Sequence, residues 1–197
     1  MIKMTKSPKV LVPVACGTEE MEAVIIIDIL RRAQWDVAVA GIDTGLITAS
    51  RGVRIMPDMY WEEVQPSDFD VLMIPGGAPG VERFIHFEPL LATIRDFSQK
   101  KKWIGAVCAG PLTLQAAGIL KGRKVTCHPG VAAKLTTTLR CEERTVVDEF
   151  IVTSQGAGTT FDFALTLISL IEPGEKAQLI ADAIVLDGQF GSVISRT

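Results

Sequence analysis

The chain has 197 residues, with 20 Lys and Arg against 23 Asp and Glu and a formal net charge of −3. So balanced a charge implies no polyanionic partner, and no basic stripe interleaved with aromatic residues marks a nucleic-acid surface. No apolar run approaches the roughly 18 residues of a membrane span, and Met1-Ile2-Lys3-Met4-Thr5-Lys6 lacks the apolar core of a signal peptide, so the chain reads as soluble and cytoplasmic.

Residues 9–15 read as a buried strand that ends in the turn Cys16-Gly17-Thr18. Thr18 is placed to cap a helix over 19–33, with glutamates in its first turn. A second strand is expected over 36–42, and two short ones over 47–49 and 53–56 around Ser50-Arg51-Gly52. A third buried strand, 69–74, ends at Pro75-Gly76-Gly77-Ala78-Pro79-Gly80, and a helix with a basic end covers 88–102. The apolar run 103–107 leads into Cys108-Ala109-Gly110-Pro111 and a helix to about 117. A short strand at 124–127 precedes His128-Pro129-Gly130. Residues 145–153 suggest a strand pair turning at Asp148-Glu149, and helices close the chain over 158–171 and 175–186.

Strands alternate with helices, and the strands are near-continuous apolar runs. That pattern specifies a mostly parallel sheet covered on both faces. No repeat, low-complexity segment or linker interrupts it, so residues 1–197 read as a single domain, with 1–7 and 187–197 as terminal extensions. In such sheets ligands bind beyond the C-terminal ends of the strands. Residues 16–22, Gly76-Gly77, Cys108-Ala109 and Cys127-His128 all fall there.

Cys108 carries the most information. A free cysteine is often a small, inert core residue. Here a strand runs into a small-residue turn and then a helix, a geometry that lifts one side chain out of the sheet beside backbone N–H groups, where a thiolate is favoured. Glu22 is one turn into the first helix, beside Ile25 and Ile26 on its inward stripe. It reads either as a helix-dipole charge, like Glu19 and Glu20, or as a carboxyl whose proton affinity is raised by apolar packing. His128 is one of only two histidines; it is either a satisfied structural residue or a pocket group. Gly76-Gly77 is either a plain turn or a bare backbone whose N–H groups approach a substrate oxygen. Cys16, Cys108, Cys127 and Cys141 fit neither a zinc site nor a disulfide scaffold. Cys127 and Cys141 read as passive, and Cys16 as ambiguous, with a resolving-thiol role the less favoured alternative. Lys100-Lys101-Lys102 reads as a solvated helix end.

Taken together, Gly17-Thr18-Glu19-Glu20-Met21-Glu22, Pro75-Gly76-Gly77, residues 106–111, Cys127-His128-Pro129 and residues 153–159 resemble the ThiJ/PfpI superfamily, in its DJ-one branch of deglycases, from about residue 9 to 186. The resemblance implies a flavodoxin-like three-layer sandwich of the class I glutamine amidotransferase type, a homodimer, and no cofactor or metal. It implies Cys108 as nucleophile, Glu22 as its carboxyl partner, His128 as the third pocket residue, and an oxyanion site at Gly76, Gly77 and Ala109. Glu19, Arg32 and Arg51 are rim candidates, one arginine being expected from the partner subunit; ordinary surface arginines are the competing reading.

Several positions depart from the pattern. Ala49 and Met56 stand where relatives carry other cysteines, so redox roles of those thiols do not transfer. Cys127 replaces a common threonine and Ala157 a frequent proline, and the residues from Asp187 onward have no counterpart. Ala109 after the nucleophile argues against the protease-like branch, which has histidine there. His86-Phe87-Glu88 has the glutaminase spacing but precedes Cys108. The resemblance implies a cofactor-independent enzyme acting on 2-oxoaldehydes such as methylglyoxal, or on glycated amines formed from them. The alternatives are a non-enzymatic redox sensor or chaperone working through Cys108 oxidation, and a non-catalytic binding module.

Overall fold

A computed structural model describes residues 7–186; of the expected extensions at 1–7 and 187–197, all but Ser7 lie outside them. Seven strands form the central sheet: β1 (Lys9–Val14), β2 (Asp36–Gly41), β5 (Met59–Tyr60), β6 (Val71–Ile74), β7 (Trp103–Val107), β10 (Thr145–Asp148) and β11 (Ile151–Ser154). Their order is β10-β11-β7-β6-β1-β2-β5. All neighbours run parallel except the hairpin β10–β11, whose antiparallel turn passes through Glu149 at φ 54°. Two small ladders stand apart, the antiparallel pair β3 (Ile47–Thr48) and β4 (Arg54–Ile55) and the parallel pair β8 (Lys124–Val125) and β9 (Leu139–Arg140).

Both sheet faces are buried, which is why the strands carry no polar alternation. Leu11, Leu72, Ile74 and Ile104 pack under α2 (Ala78–Ile85), α3 (Glu88–Gln99) and α4 (Pro111–Ala116), against Phe84, Phe97 and Leu114. Val10, Val12, Met73 and Val107 face α1 (Glu20–Arg32), α5 (Thr160–Ile171) and α6 (Lys176–Ala183), against Ile26, Ile29 and Phe163. The result is the expected flavodoxin-like three-layer sandwich. Proline is rare inside a sheet because it cannot donate to a ladder. Pro13 is tolerated in central β1 because pairing with β6 covers only Val10 and Leu11, while β2 pairs along the whole strand.

Three local readings are corrected. Thr18 does not cap α1; its hydroxyl accepts the Ala15 N–H at 2.9 Å and closes the preceding turn, leaving Glu19 at the cap without a side-chain bond to the helix. The helix α2 was not anticipated: Ala78-Pro79-Gly80, given only as the tail of the run that ends the third strand, starts it, with proline in its first turn, where a missing N–H costs nothing. Residues 124–127 form only the two-residue β8, outside the main sheet, and its partner β9, like β5, was not anticipated.

Candidate active site

The site lies where β1, β6 and β7 end. Cys108 follows β7 with φ 61°, a left-handed conformation that is costly for a residue with a side chain. Its backbone is held from two sides: its N–H donates to the Ser154 carbonyl at 2.9 Å, and its carbonyl accepts the His128 N–H at 3.0 Å. The turn closes through Gly110 N–H to the Val107 carbonyl at 2.8 Å. Cys108 is thus the strained elbow expected from the strand–turn–helix pattern, with its thiol half-buried.

Glu22 comes from the first turn of α1 and is 1% exposed. Its Oε2 accepts the Gly76 N–H at 2.7 Å, and its carboxyl hydrogen-bonds the Cys108 thiol. The backbone N–H groups of Gly77 and Ala109 both point at the Cys108 sulfur. Gly76 has to be glycine: a Cβ there would lie 2.6 Å from Cys108 Cβ and 2.7 Å from Glu22 Oε2. Gly77 has φ 91°, and its added Cβ would meet the Gly17 carbonyl at 2.3 Å.

Burial raises the Glu22 pKa to about 7, outweighing the bonds from Cys108 and Gly76 that lower it; the neighbouring Glu19 charge raises it further. Burial likewise pushes the Cys108 thiol up to about 12, helped by the charge and the hydrogen bond of an ionised Glu22 and opposed by the two N–H groups. The two values describe one coupled pair, and the thiol value belongs to the state with Glu22 ionised. With Glu22 protonated the carboxyl donates to sulfur, and the same contact favours the thiolate. The pair therefore releases its first proton near neutrality, and the remaining proton is shared between carboxyl and thiol.

His128 is exposed. Its Nδ1 accepts the Gly130 N–H at 3.0 Å, which leaves the neutral ring with its proton on Nε2. Its main chain is tied to Cys108, and Gly156 packs beside its ring, but it is a hydrogen-bond donor rather than a free base. Glu19 reaches the site's edge, where its Oε2 accepts from Ser50 Oγ at 2.6 Å. Arg51 is exposed on the β3–β4 turn, and its N–H donates to Glu20 at 2.8 Å. Arg32 is at the far end of α1, ten residues and about 15 Å along the helix from Glu22, paired with Asp28. Within one chain it does not border the site. Ser50 went unnoticed in the sequence because only the tertiary fold brings the hairpin to α1.

Cys16 cannot resolve Cys108. It follows β1, two strands from β7, so the two backbones are about 10 Å apart, too far for a disulfide. Its N–H is occupied by Asp43 at 2.7 Å. Among the described residues no group of three or more His, Cys, Asp or Glu is placed to hold a metal ion. A groove of about 390 Å³ between α2 and α4 begins at Ala78 and Ala109 and is lined by Val81, Leu112 and Val131. It opens on the α2–α4 side and includes none of Cys108, Glu22 and His128.

The model of the DJ-1/PfpI family matches residues 8–170. The chain belongs to the DJ-1/PfpI family. Protein DJ-1 homolog B of Arabidopsis thaliana is 38% identical over 182 residues, covering 91% of this chain and 42% of the plant protein. The chain thus spans less than half the length of that relative. The glutathione-independent glyoxalase DJR-1.2 of Caenorhabditis elegans is 33% identical, with 92% of this chain and 97% of the other covered. The crystal structure of Drosophila melanogaster DJ-1beta superposes with a TM-score of 0.89 at 33% identity, covering 93% and 100% of the two chains. These DJ-1/PfpI relatives agree with the family and the sandwich; among the described residues, no helix is long and apolar enough to cross a membrane.

Proposed function

We propose that the protein is a cofactor-independent thiol enzyme that converts 2-oxoaldehydes, methylglyoxal being the simplest, to 2-hydroxy acids without glutathione. The observation that carries this reading is the Cys108–Glu22 pair, a buried carboxyl with pKa near 7 bonded to a half-exposed thiol that faces two N–H groups. A general acid–base works best with its pKa near the working pH.

The Cys108 thiolate adds to the aldehyde carbon, and the aldehyde oxygen takes the proton held by Glu22, giving a hemithioacetal. The ionised Glu22 carboxylate removes the hydrogen from that carbon, and the electron pair moves towards the neighbouring carbonyl to give an enediolate. Gly77 and Ala109 N–H groups support the developing oxygen charge as it replaces the sulfur charge they faced, and His128 Nε2–H donates to the second oxygen. Glu22 returns its proton to the second carbon while the hydroxyl proton of the first carbon passes to the second oxygen, leaving a thioester of the 2-hydroxy acid. Water cleaves the thioester and restores the thiol. Oxidation at one carbon balances reduction at the next, so no external oxidant or reductant enters. On a hemiaminal of a glycated amine the thiolate displaces the amine, the C–N bond breaking as the C–S bond forms and the amine leaving with the proton held by Glu22; this gives the same hemithioacetal, and the later steps then make a deglycase.

The active unit in this reading is a homodimer. Met21 and Val24 on α1 and Val53 and Met56 at the β3–β4 hairpin, which bonds to Glu20 at the start of α1, are each at least 50% exposed. Antiparallel packing of α1 on a second copy brings the second copy's Arg32 towards this chain's site. Four unpaired cysteines suit a reducing cytoplasm.

The test is lactate formation from methylglyoxal without glutathione. Turnover in the wild type that vanishes in Cys108→Ala supports the reading; equal rates in both sink it. The half-exposed thiol beside a protonatable carboxyl also favours a second reading, redox sensing. Peroxide converts such a thiol to a sulfinate, which a protonated Glu22 is placed to hold. A stable gain of two oxygens by intact mass, absent in Cys108→Ser, is its required signature.

A further inference from the structure

The β3–β4 hairpin contributes no group to the chemistry above, yet it grips the residues next to Glu22. Ser50 Oγ is 2.6 Å from Glu19 Oε2 and 2.7 Å from Glu20 Oε2. Glu20 is occupied elsewhere, accepting the Arg51 N–H at 2.8 Å and the Val53 N–H at 3.4 Å. The Ser50 N–H donates to the Thr18 carbonyl at 2.8 Å, so the turn is pinned to the entry of α1 by main chain and side chain together. Glu19 also donates its own N–H to the Gly76 carbonyl at 3.0 Å, while the Gly76 N–H binds Glu22. Glu19 thus touches both the hairpin and the peptide that holds the Glu22 carboxyl.

We propose that Glu19, clamped by Ser50, is a positioning residue that keeps the shared proton on Glu22 rather than on Cys108. A negative charge at the cap of α1, three residues before Glu22, makes ionisation of Glu22 costlier. Whenever the proton stays on Glu22, sulfur holds the charge. Glu19 therefore promotes the thiolate without touching it. Three groups act on Glu22: the Glu19 carboxylate from the cap of α1, the Cys108 thiol from the β7–α4 turn, and the uncharged Gly76 backbone from the β6–α2 turn. On α5, Asp162 is tied to Arg144. The proposal rests on Cys108 and Glu22 being the reacting pair, but not on the identity of the substrate.

Iodoacetamide alkylation of Cys108 between pH 5 and 10 reads the proton's position directly. The rate counts thiolate. It rises with pH until the pair has lost its first proton, then levels at a value set by how the remaining proton divides between carboxyl and thiol. In Glu19→Gln the acid limb superposes on the wild type, since Glu22 is protonated there in both. The plateau is about three-fold lower, equivalent to about half a pH unit in Glu22, and is reached at lower pH. Ser50→Ala lowers the plateau by less, because Glu19 is released rather than removed, and it carries the test if Glu19→Gln does not fold. In a Glu22→Gln background neither substitution changes the rate. An unchanged plateau in Glu19→Gln overturns the proposal, and so does the same drop in the Glu22→Gln background. A drop in Glu19→Gln with none in Ser50→Ala overturns the clamp. Alkylation needs no turnover, so failure to make lactate would remove the enzyme reading and leave this result standing.

Discussion

Cys108 and Cys127 are two thiols in one domain, the first half-buried and the second fully buried, and burial raises the pKa of both. Cys127 has what is usually taken as the activating neighbour: the Arg140 guanidinium bonds its sulfur and lowers its pKa, but not enough to offset burial. Cys127 is fully inaccessible, among the core residues under α4. Cys108 instead has a neighbouring acid, which pushes it up when ionised. The difference lies in the proton. Arg140 never gives one up, whereas Glu22 takes and returns one near neutral pH, so only Cys108 has a partner that moves with its own charge. Access adds to this, because the left-handed turn at Cys108 leaves its sulfur half-exposed.

The sharpest way to break the comparison is to fix the proton. Glu22→Gln can accept from Gly76 and donate to sulfur, imitating the protonated carboxyl permanently. Lactate formation is expected to fall by about 10²–10⁴-fold while iodoacetamide still labels Cys108 rapidly; full turnover in this variant would remove Glu22 from the mechanism. The next effect is on stability. The Glu22 pKa is raised on folding from 4.5 to about 7, so the folded state holds the proton more tightly. Its contribution is therefore complete below pH 4.5 and is lost as pH rises through about 7, amounting to about 3 kcal/mol. Urea denaturation at pH 4.5 and 8 should show that loss in the wild type and not in Glu22→Gln. Equal pH dependence in the two proteins would contradict a buried, proton-holding Glu22.

A smaller effect is expected from closing the space between the two groups. Gly76→Ala places a methyl against Cys108 and Glu22, costing about 1–3 kcal/mol of stability and slowing alkylation; an unchanged alkylation profile would mean that the contact is loose. The smallest is Cys127→Ala, which deletes a buried sulfur at a cost of about 1 kcal/mol and should leave both lactate formation and the Cys108 alkylation profile as they were. A loss of turnover at unchanged stability would show that the two thiols are not independent.

How much of this the sequence reveals depends on whether a feature is local. Cys108 is legible because a strand, a small-residue turn and a proline-led helix are adjacent in the chain. Glu22 is legible as an inward-facing acid because helical spacing places it beside Ile25 and Ile26. The positions of the main strands along the chain follow the same local logic. What escapes is set by contacts between distant segments. The start of α2 at residues 78–80 has no local mark, because its Gly80 is required by another element: a Cβ there would lie 2.7 Å from the Thr18 nitrogen. The tautomer of His128 depends on one backbone N–H two residues on, and the position of Arg32 on how far α1 runs from the site.

The left-handed backbone of Cys108 has a further consequence for how this chain responds to selection. Glycine adopts such a conformation without penalty, so Cys108→Gly should relieve about 1 kcal/mol of strain while destroying the nucleophile. A library sorted only for thermal robustness or expression would therefore be drawn towards inactive molecules at this position. Robustness here would have to be gained elsewhere in the sheet, with the elbow left under tension.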